Sequence, residues 1–226
     1  MKKYTSLILH LLLLIIVVIE LTGRFTDNIR LEYPVKPLIM IWMAVYFLIY
    51  SKKKSFTIPV LIAFFFSWLG DNFLMFSGKN ELFFFAGVGG FFLAQLSYIY
   101  IFSKYSEENR QGYLRKKPLL IIFFLLYVAG IYIVLLPGLE GIMKPVILVY
   151  ALSLIAMSMM ALNRRGRVNP PSFRYVFAGS ILFLLSDSMI AINKFSLEFP
   201  MAGFWIMITY ISAQYLIMRG LVYEKS

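Results

Sequence analysis

The feature that most constrains the fold is a series of eight long apolar stretches running through the chain. Each stretch is 15–21 residues long, and polar or charged residues separate it from the next. A helix needs about 20 residues to cross the hydrocarbon core of a bilayer. In lipid, only helices and closed barrels satisfy their own backbone hydrogen bonds. The sequence therefore predicts an all-α membrane protein with eight transmembrane helices, within residues 4–22, 36–50, 56–76, 82–102, 118–136, 142–162, 173–192 and 199–219.

The composition excludes a soluble enzyme that is held to the membrane by one anchor. Hydrophobic residues make up 61% of the chain and charged residues 15%, against about 45–50% and 25% in soluble domains. A net charge of +11 would suggest nucleic-acid binding in a soluble protein, but here the basic residues lie between the apolar stretches. The longest connection, about 103–117, is too short for a domain. We therefore expect residues 1–226 to form a single polytopic membrane domain with no nucleic-acid partner.

The basic residues also predict an orientation in the membrane. Eight spans place both termini on one side. Sixteen of the 22 lysines and arginines lie at the termini and in the even-numbered connections, and six lie in the odd-numbered connections. Because short cytoplasmic segments carry the excess of Lys and Arg, both termini are predicted to be cytoplasmic. The chain is compatible with a bacterial inner (plasma) membrane.

Three polar features recur in the same order in the two halves of the chain. Lys36-Pro37 returns as Lys144-Pro145 after 108 residues, Asp71 returns as Asp187 after 116, and Gln95 returns as Gln214 after 119. Their order predicts a parallel four-plus-four internal repeat with halves of about 1–110 and 111–226. Parallel repeats are related by an axis along the membrane normal, so the two aspartates are expected at equal depth.

The same residues are the candidates for a functional site. An ionisable side chain inside a span costs about 2.5–3.5 kcal/mol on insertion scales, and such residues commonly mark pathways or chemistry. The sequence predicts a polar pocket that is open to the outer side of the membrane, with two catalytic carboxyls and a set of substrate-binding side chains. The carboxyls are those of Asp71 and Asp187, and the substrate-binding residues are Lys36, Lys144, Asn72, Gln95, Tyr98 and Gln214. The chain has no cysteine and one histidine, so we expect no metal site and no cofactor.

A structural interpretation of these residues stands beside the functional one. Asp71 and Asp187 could pair with Lys36 and Lys144 as salt bridges between helices. The two glutamines could be interhelical hydrogen-bond partners, as polar residues in membrane helices often are.

The chain resembles a known family in these segments. The resemblance covers about residues 36–217 and lies in Lys36-Pro37, in Gly70-Asp71-Asn72-Phe73-Leu74-Met75, in the stretches 87–98 and 177–187, and in 210–217. These segments resemble the YhhN-like membrane proteins, whose characterised members are lysoplasmalogenases. The resemblance implies hydrolysis of the vinyl-ether bond of a lysoplasmalogen, a lysophospholipid, to a fatty aldehyde and glycerophospho-ethanolamine or -choline. The chain departs from the family at Gln95, where members often carry His.

Two carboxyls in one pocket suit this chemistry. Hydrolysis of a vinyl ether needs an acid that protonates the alkenyl β-carbon and an anionic group that stabilises the cation or activates water. Burial and mutual repulsion favour the state in which one of two neighbouring carboxyls keeps a proton, and the sequence leaves open which one. Lys36 and Lys144 would hold the phosphate, and the two glutamines would orient water or the ether oxygen.

Two other functions remain open from the sequence. Paired charges at the interface of parallel repeats also occur in transporters, so a carrier or binding protein for a lipid or small molecule is one alternative. A hydrolase of a different ether lipid or lysolipid is the other.

Overall fold

A computed structural model describes residues 2–52, 54–104 and 111–224. These residues form nine α-helices and no strand. The helices are α1 (Lys2–Phe25), α2 (Ile29–Tyr50), α3 (Thr57–Met75), α4 (Glu81–Lys104), α5 (Tyr113–Lys116), α6 (Leu120–Leu135), α7 (Met143–Asn163), α8 (Pro170–Phe195) and α9 (Ala202–Val222). All except the four-residue α5 are long and apolar enough to cross a membrane, α6 together with the 3₁₀ turn Leu136–Gly138 that follows it. The prediction of an all-α protein with eight transmembrane helices is therefore confirmed.

Several helix boundaries differ from the prediction by a few residues, and the largest difference is at the start of the second span. The second span was predicted to begin at residue 36, but α2 begins at Ile29, where the side chain of Asn28 caps the helix by accepting from the N–H of Arg30. Pro34 and Pro37 lie inside this helix. Proline usually interrupts a helix because it has no N–H to donate, which is why the sequence suggested a later start. The helix α8 runs to Phe195, three residues past its predicted end.

Some residues used in the sequence analysis lie outside the described part of the chain. They are residues 105–110 of the long connection and three of the basic residues counted for orientation, Lys53, Arg110 and Lys225.

Six of the long helices form a closed ring. Going around it, each helix packs against the next in the order α2, α3, α4, α7, α8, α9 and back to α2. The first helix lies outside the ring and packs on both α2 and α9, whereas α6 packs on α7 and α8. Only Val128 and Leu135 of α6 are buried. Because α6 has so little buried surface, most of its side chains are left to face lipid.

The bundle has two ends, which we name by the chain segments they carry. The proximal end carries the connections between α2 and α3 and between α7 and α8, and the last turn of α9. There the fully buried Arg164 contacts Glu224 at 2.8 Å and Ser172 at 3.0 Å. The distal end carries the four connections between α1 and α2, α3 and α4, α6 and α7, and α8 and α9.

The hairpins α3–α4 and α8–α9 are the most intimately packed pairs. A Cβ atom on Gly90 would lie 2.8 Å from the backbone nitrogen of Gly70, and one on Gly179 would lie 2.7 Å from the carbonyl oxygen of Ala213. Such distances leave no space for a side chain. Small residues therefore let the two helices of each hairpin approach closely, as is common in membrane bundles.

The neighbour order is the same in both halves: α2–α3–α4 repeats as α7–α8–α9, and the two triplets meet at the α4–α7 and α9–α2 junctions. The internal repeat and the cytoplasmic location of the termini stay predictions.

Candidate functional site

A cavity of about 580 Å³ lies inside the distal end of the ring. Its wall is built by the distal parts of α1, α2, α3, α4, α8 and α9. Seven charged side chains line it: Arg24, Asp27, Glu32, Lys36, Asp71, Lys194 and Glu198. The cavity therefore offers both positive and negative groups to a ligand.

A chain of ion pairs runs along one side of this cavity. Arg24 contacts Glu20 at 3.2 Å and Glu32 at 2.9 Å. Glu20 is fully buried and Glu32 is buried. The close approach of α1 and α2 makes these contacts, since a Cβ atom on Gly23 would lie 2.8 Å from Cγ of Glu32. The ion pairs balance the charge that this wall would otherwise hold uncompensated in a nonpolar surrounding.

Asp71 lies deeper in the same cavity, and donors engage both of its oxygens. The ammonium of Lys36 lies 3.8 Å from Oδ1, and the hydroxyl of Tyr210 donates to Oδ2 at 2.6 Å. Asp71 and Lys36 are 3% and 6% exposed. One hydrogen bond and one buried countercharge describe a carboxylate that is held as an anion.

The deeper part of the ring holds a hydrogen-bond network behind Asp71. Gln214 donates to the hydroxyl of Tyr210 at 3.4 Å and to Oγ of Ser67 at 3.0 Å, and it accepts from Tyr98 at 2.6 Å. Gln214, Tyr98 and Ser67 are fully buried. This network connects α3, α4 and α9 and orients the tyrosine that contacts Asp71.

Asp187 has a different environment. Its Oδ2 accepts from Nε2 of Gln95 at 3.3 Å and from the hydroxyl of Tyr150. Its Oδ1 is buried and accepts no hydrogen bond from the described residues. In the described part of the chain no lysine, arginine or histidine nitrogen lies within 4.0 Å of this carboxyl. Both donors therefore converge on one oxygen and leave the other one available.

Gln95 is itself held in place from the second half of the chain. The hydroxyl of Ser153 donates to Oε1 of Gln95 and also to the backbone carbonyl of Tyr150 at 2.7 Å. The carboxamide thus accepts from α7 and donates to α8. Gln95 therefore connects α4, α7 and Asp187.

Asp187 lines a second, apolar pocket of about 50 Å³. Leu74, Phe84, Phe91 and Ile190 line both this pocket and the distal cavity. Two compartments, one charged and one apolar, therefore share a wall, with Asp71 in the first and Asp187 in the second. The two carboxyls are close enough to interact electrostatically.

The aspartates do not lie equally far from the ends of their helices. Asp71 is four residues before the end of α3 at Met75, or about 6 Å, and Asp187 is eight residues before the end of α8 at Phe195, or about 12 Å.

The structure brings six of the eight predicted site residues together in this region. Asp71, Asp187 and Lys36 line the compartments, and Gln95, Gln214 and Tyr98 lie behind them.

Lys144 and Asn72 do not join this site. Lys144 is the second residue of α7 and is exposed, whereas Lys36 is the eighth residue of α2 and is buried. The different position along the helix explains why two lysines with matching prolines have different surroundings. Asn72 donates to the backbone carbonyl of Trp68 at 2.7 Å and lines neither compartment.

The sequence analysis missed several side chains at the site, and the uncharged ones among them do not stand out in their helices as a charge would. Tyr150, Tyr210 and Ser153 are common types in membrane helices. Arg24 and Lys194 were counted only for orientation, yet both line the distal cavity, with Lys194 lying 5.5 Å from the centre of the Phe84 ring. The position of Tyr210, four residues before Gln214 on one helix face, is a signal that could have identified it.

Within the described residues, no three His, Cys, Asp or Glu side chains are arranged to hold a metal ion.

Comparison with known proteins gives one match. No curated protein and no solved structure matched the chain. The sequence model of the YhhN family matches residues 31–221. The match includes both aspartates and nearly all of the six ring helices, whereas Arg24, Asp27 and Ile29 of the distal cavity precede it. The chain therefore belongs to the YhhN family.

Proposed function

We propose that this protein hydrolyses the vinyl-ether bond of lysoplasmalogens. Membership of the YhhN family is consistent with this activity. The observation that carries the proposal is the pair of carboxyls in adjoining compartments, with Asp71 ion-paired and Asp187 holding one oxygen free beside apolar side chains.

The shape and charge of the compartments suit an amphiphilic substrate with a zwitterionic headgroup. The distal cavity holds three basic and four acidic side chains, so a phosphate and an ammonium group would both find partners there. Lys36, Arg24 and Lys194 are the candidates for the phosphate. The apolar pocket beside Asp187 would receive the start of the hydrocarbon chain.

Asp187 is assigned as the general acid. A buried carboxyl without a nearby cation is disfavoured as an anion. Gln95 and Tyr150 donate to Oδ2, so a neutral carboxyl carries its proton on Oδ1, the oxygen without a donor. In the first step, Oδ1 gives this proton to the β-carbon of the vinyl ether. The double-bond electrons form the new C–H bond, and the ether oxygen stabilises the resulting oxocarbenium ion.

Asp71 is assigned to the second step. Its carboxylate, held by Lys36 and Tyr210, takes a proton from water as the water oxygen adds to the oxocarbenium carbon. The hemiacetal then collapses. Its hydroxyl proton passes to the carboxylate of Asp187, the C–O bond to glycerol breaks, and the glycerol oxygen takes the proton that Asp71 had received, so both carboxyls return to their starting states. One water is consumed, and the products are an aldehyde and a glycerophospho-alcohol.

The test is aldehyde release by the purified protein in lipid nanodiscs. An alkenyl lysophosphatidylethanolamine is compared with its saturated alkyl and its acyl counterparts, which lack the vinyl ether. We expect release only from the alkenyl lipid, and in D₂O we expect one deuterium at carbon 2 of the aldehyde, since that carbon receives the proton. Asp187→Asn and Asp71→Asn should each lower the rate by about 10²–10⁴-fold, the usual contribution of acid–base catalysis.

The control is Glu140→Gln, which removes a carboxylate that is exposed and outside both compartments. This variant should keep wild-type activity. Fatty-acid release from the acyl lipid would show hydrolysis of another lysolipid, and lipid movement across proteoliposomes without any product would show transport. Either result would overturn the proposal.

A further inference from the structure

A lipid-facing groove lies between α4 and α7 in the distal half of the bundle. On α4 it is lined by Phe85, Val88, Gly89 and Phe92, and on α7 by residues that include Val149 and Tyr150. Its volume is about 380 Å³. From Phe85 to Phe92 it follows α4 for about 10 Å, which is most of the roughly 15 Å of one bilayer leaflet's hydrocarbon.

The groove adjoins the pocket of Asp187. Val88 and Tyr150 line both the groove and that pocket. Tyr150 is half-buried: its ring borders the groove, and its hydroxyl donates to Asp187. Two side chains therefore form the partition between membrane lipid and the carboxyl that we assign as the general acid.

The absence of a side chain at Gly89 keeps the groove open. A Cβ atom on Gly89 would meet no atom within 4 Å. Its neighbours Gly87 and Gly90 differ, because their Cβ atoms would lie 2.7 Å from Leu74 and 2.8 Å from Gly70. Helix packing thus explains Gly87 and Gly90, and it does not explain Gly89.

The ring has two junctions between its halves, and the long helices of the described part of the chain treat them differently. The first helix packs across the α9–α2 junction, whereas α6 packs on α7 and α8 and not across the α4–α7 junction. The hydrocarbon chain of a membrane lipid can therefore reach the ring at the α4–α7 junction.

We propose that the α4–α7 groove binds the hydrocarbon chain of the lysolipid substrate and is its lateral access route from the membrane. This inference rests on the proposed function for the identity of the substrate. The headgroup lies in the distal cavity, the vinyl ether lies beside Asp187, and the chain passes between Val88 and Tyr150 into the groove. The groove thus determines which chains are accepted.

The activity test fills the groove with a larger side chain at position 89. Gly89→Leu and Gly89→Trp add side chains where no atom now lies, and each is assayed with alkenyl lysolipids of four and sixteen carbons. We expect kcat/KM for the sixteen-carbon substrate to fall by about 5- to 150-fold, and more for Trp than for Leu. This is the range expected when a side chain and the hydrocarbon chain of the substrate compete for the same space. The four-carbon substrate, which ends before the groove, should keep its kcat/KM.

The matched control is Gly130→Trp. Gly130 is also an exposed helix glycine whose Cβ atom would meet nothing within 4 Å, but it lies on α6, away from the groove. This variant should hydrolyse both chain lengths as the wild type does. Undiminished long-chain activity in Gly89→Trp would overturn the groove assignment and leave the proposed function intact.

A binding test does not depend on hydrolysis. The probe is a saturated alkyl lysophospholipid with a diazirine at the end of its chain, and a diacyl phospholipid with the same diazirine reports ordinary membrane contact. We expect the lysolipid probe to label residues 85–92 and 142–150 in the wild type, with at least a tenfold loss in Gly89→Trp. Equal labelling by both probes, or labelling concentrated on α6, would show general lipid contact and overturn the inference even if the vinyl ether is hydrolysed. Groove labelling without hydrolysis would support chain binding and count against the proposed function alone.

Discussion

The same Asp→Asn replacement should have very different consequences for stability at Asp71 and at Asp187, the two positions that we propose as catalytic. Asp71→Asn removes the countercharge of Lys36, which is only 6% exposed. Removing one partner of a buried ion pair costs about 3–5 kcal/mol, because an uncompensated charge remains. Asp187→Asn exchanges a neutral acid for a neutral amide of the same shape, whose oxygen accepts from Gln95 and Tyr150 as Oδ2 does. We expect its free energy of unfolding to stay within about 1 kcal/mol of wild type.

The assay is SDS-induced unfolding in mixed micelles, with the double variant Lys36→Met/Asp71→Asn beside the two single variants. The double variant carries no charge at the pair and should recover most of the stability that Asp71→Asn loses, since an ion pair can often be replaced by uncharged groups. Glu140→Gln, at an exposed position, should stay within about 0.5 kcal/mol of wild type. A loss at Asp187 as large as that at Asp71 would refute the assignment of Asp187 as neutral. Wild-type stability of Asp71→Asn would refute the ion pair.

Three further predictions concern individual contacts. Tyr150→Phe removes one of the two donors to Asp187. We expect a lower kcat for aldehyde release with little change in KM. Equal changes in kcat and KM would contradict a positioning role for Tyr150. Lys194→Met should raise KM for the phosphorylated substrate by about 10-fold or more, because one hydrogen bond between charged groups is lost. Lys144→Met, at an exposed position, should leave KM unchanged. A higher KM in Lys144→Met and an unchanged KM in Lys194→Met would favour the sequence-based prediction that Lys144 binds the substrate. Arg164→Met leaves the buried Glu224 without its ion-pair partner, with the hydroxyl of Ser172 still donating to it. The variant should lower the free energy of unfolding by about 3–5 kcal/mol while the folded protein keeps its kcat; a loss of kcat in the folded protein would show that the proximal end takes part in catalysis.

The matched residue pairs show both a success and a failure of the sequence analysis. Asp71 and Asp187, and Gln95 and Gln214, lie together inside the ring, because each stands on the buried face of its helix. The pair Lys36 and Lys144 does not, since its members lie at different positions within their helices. A lysine two turns inside a helix is surrounded by neighbours, whereas one in the first turn reaches water.

Small residues show a similar division. The run Gly87-Val88-Gly89-Gly90 predicts a close helix contact, and Gly87 and Gly90 make it with α3. Gly89, in the same run, has a different role, since it faces another side of α4 and leaves space there. One glycine-rich run therefore includes residues for close helix packing and a residue that keeps a groove open. The sequence does not distinguish them, whereas the atoms around each Cβ position do.

The sequence by itself determined that this chain forms a bundle of membrane helices, since the length and polarity of its spans admit few other structures in lipid. It also identified two of the buried acids, Asp71 and Asp187, because a charge in a span is costly enough to stand out. Only the tertiary structure decided which partners those acids have: Lys36 and Tyr210 for Asp71, and Gln95 and Tyr150 for Asp187. These partners come from helices distant in sequence, and their ordinary residue types acquire a role only through the packing of the ring.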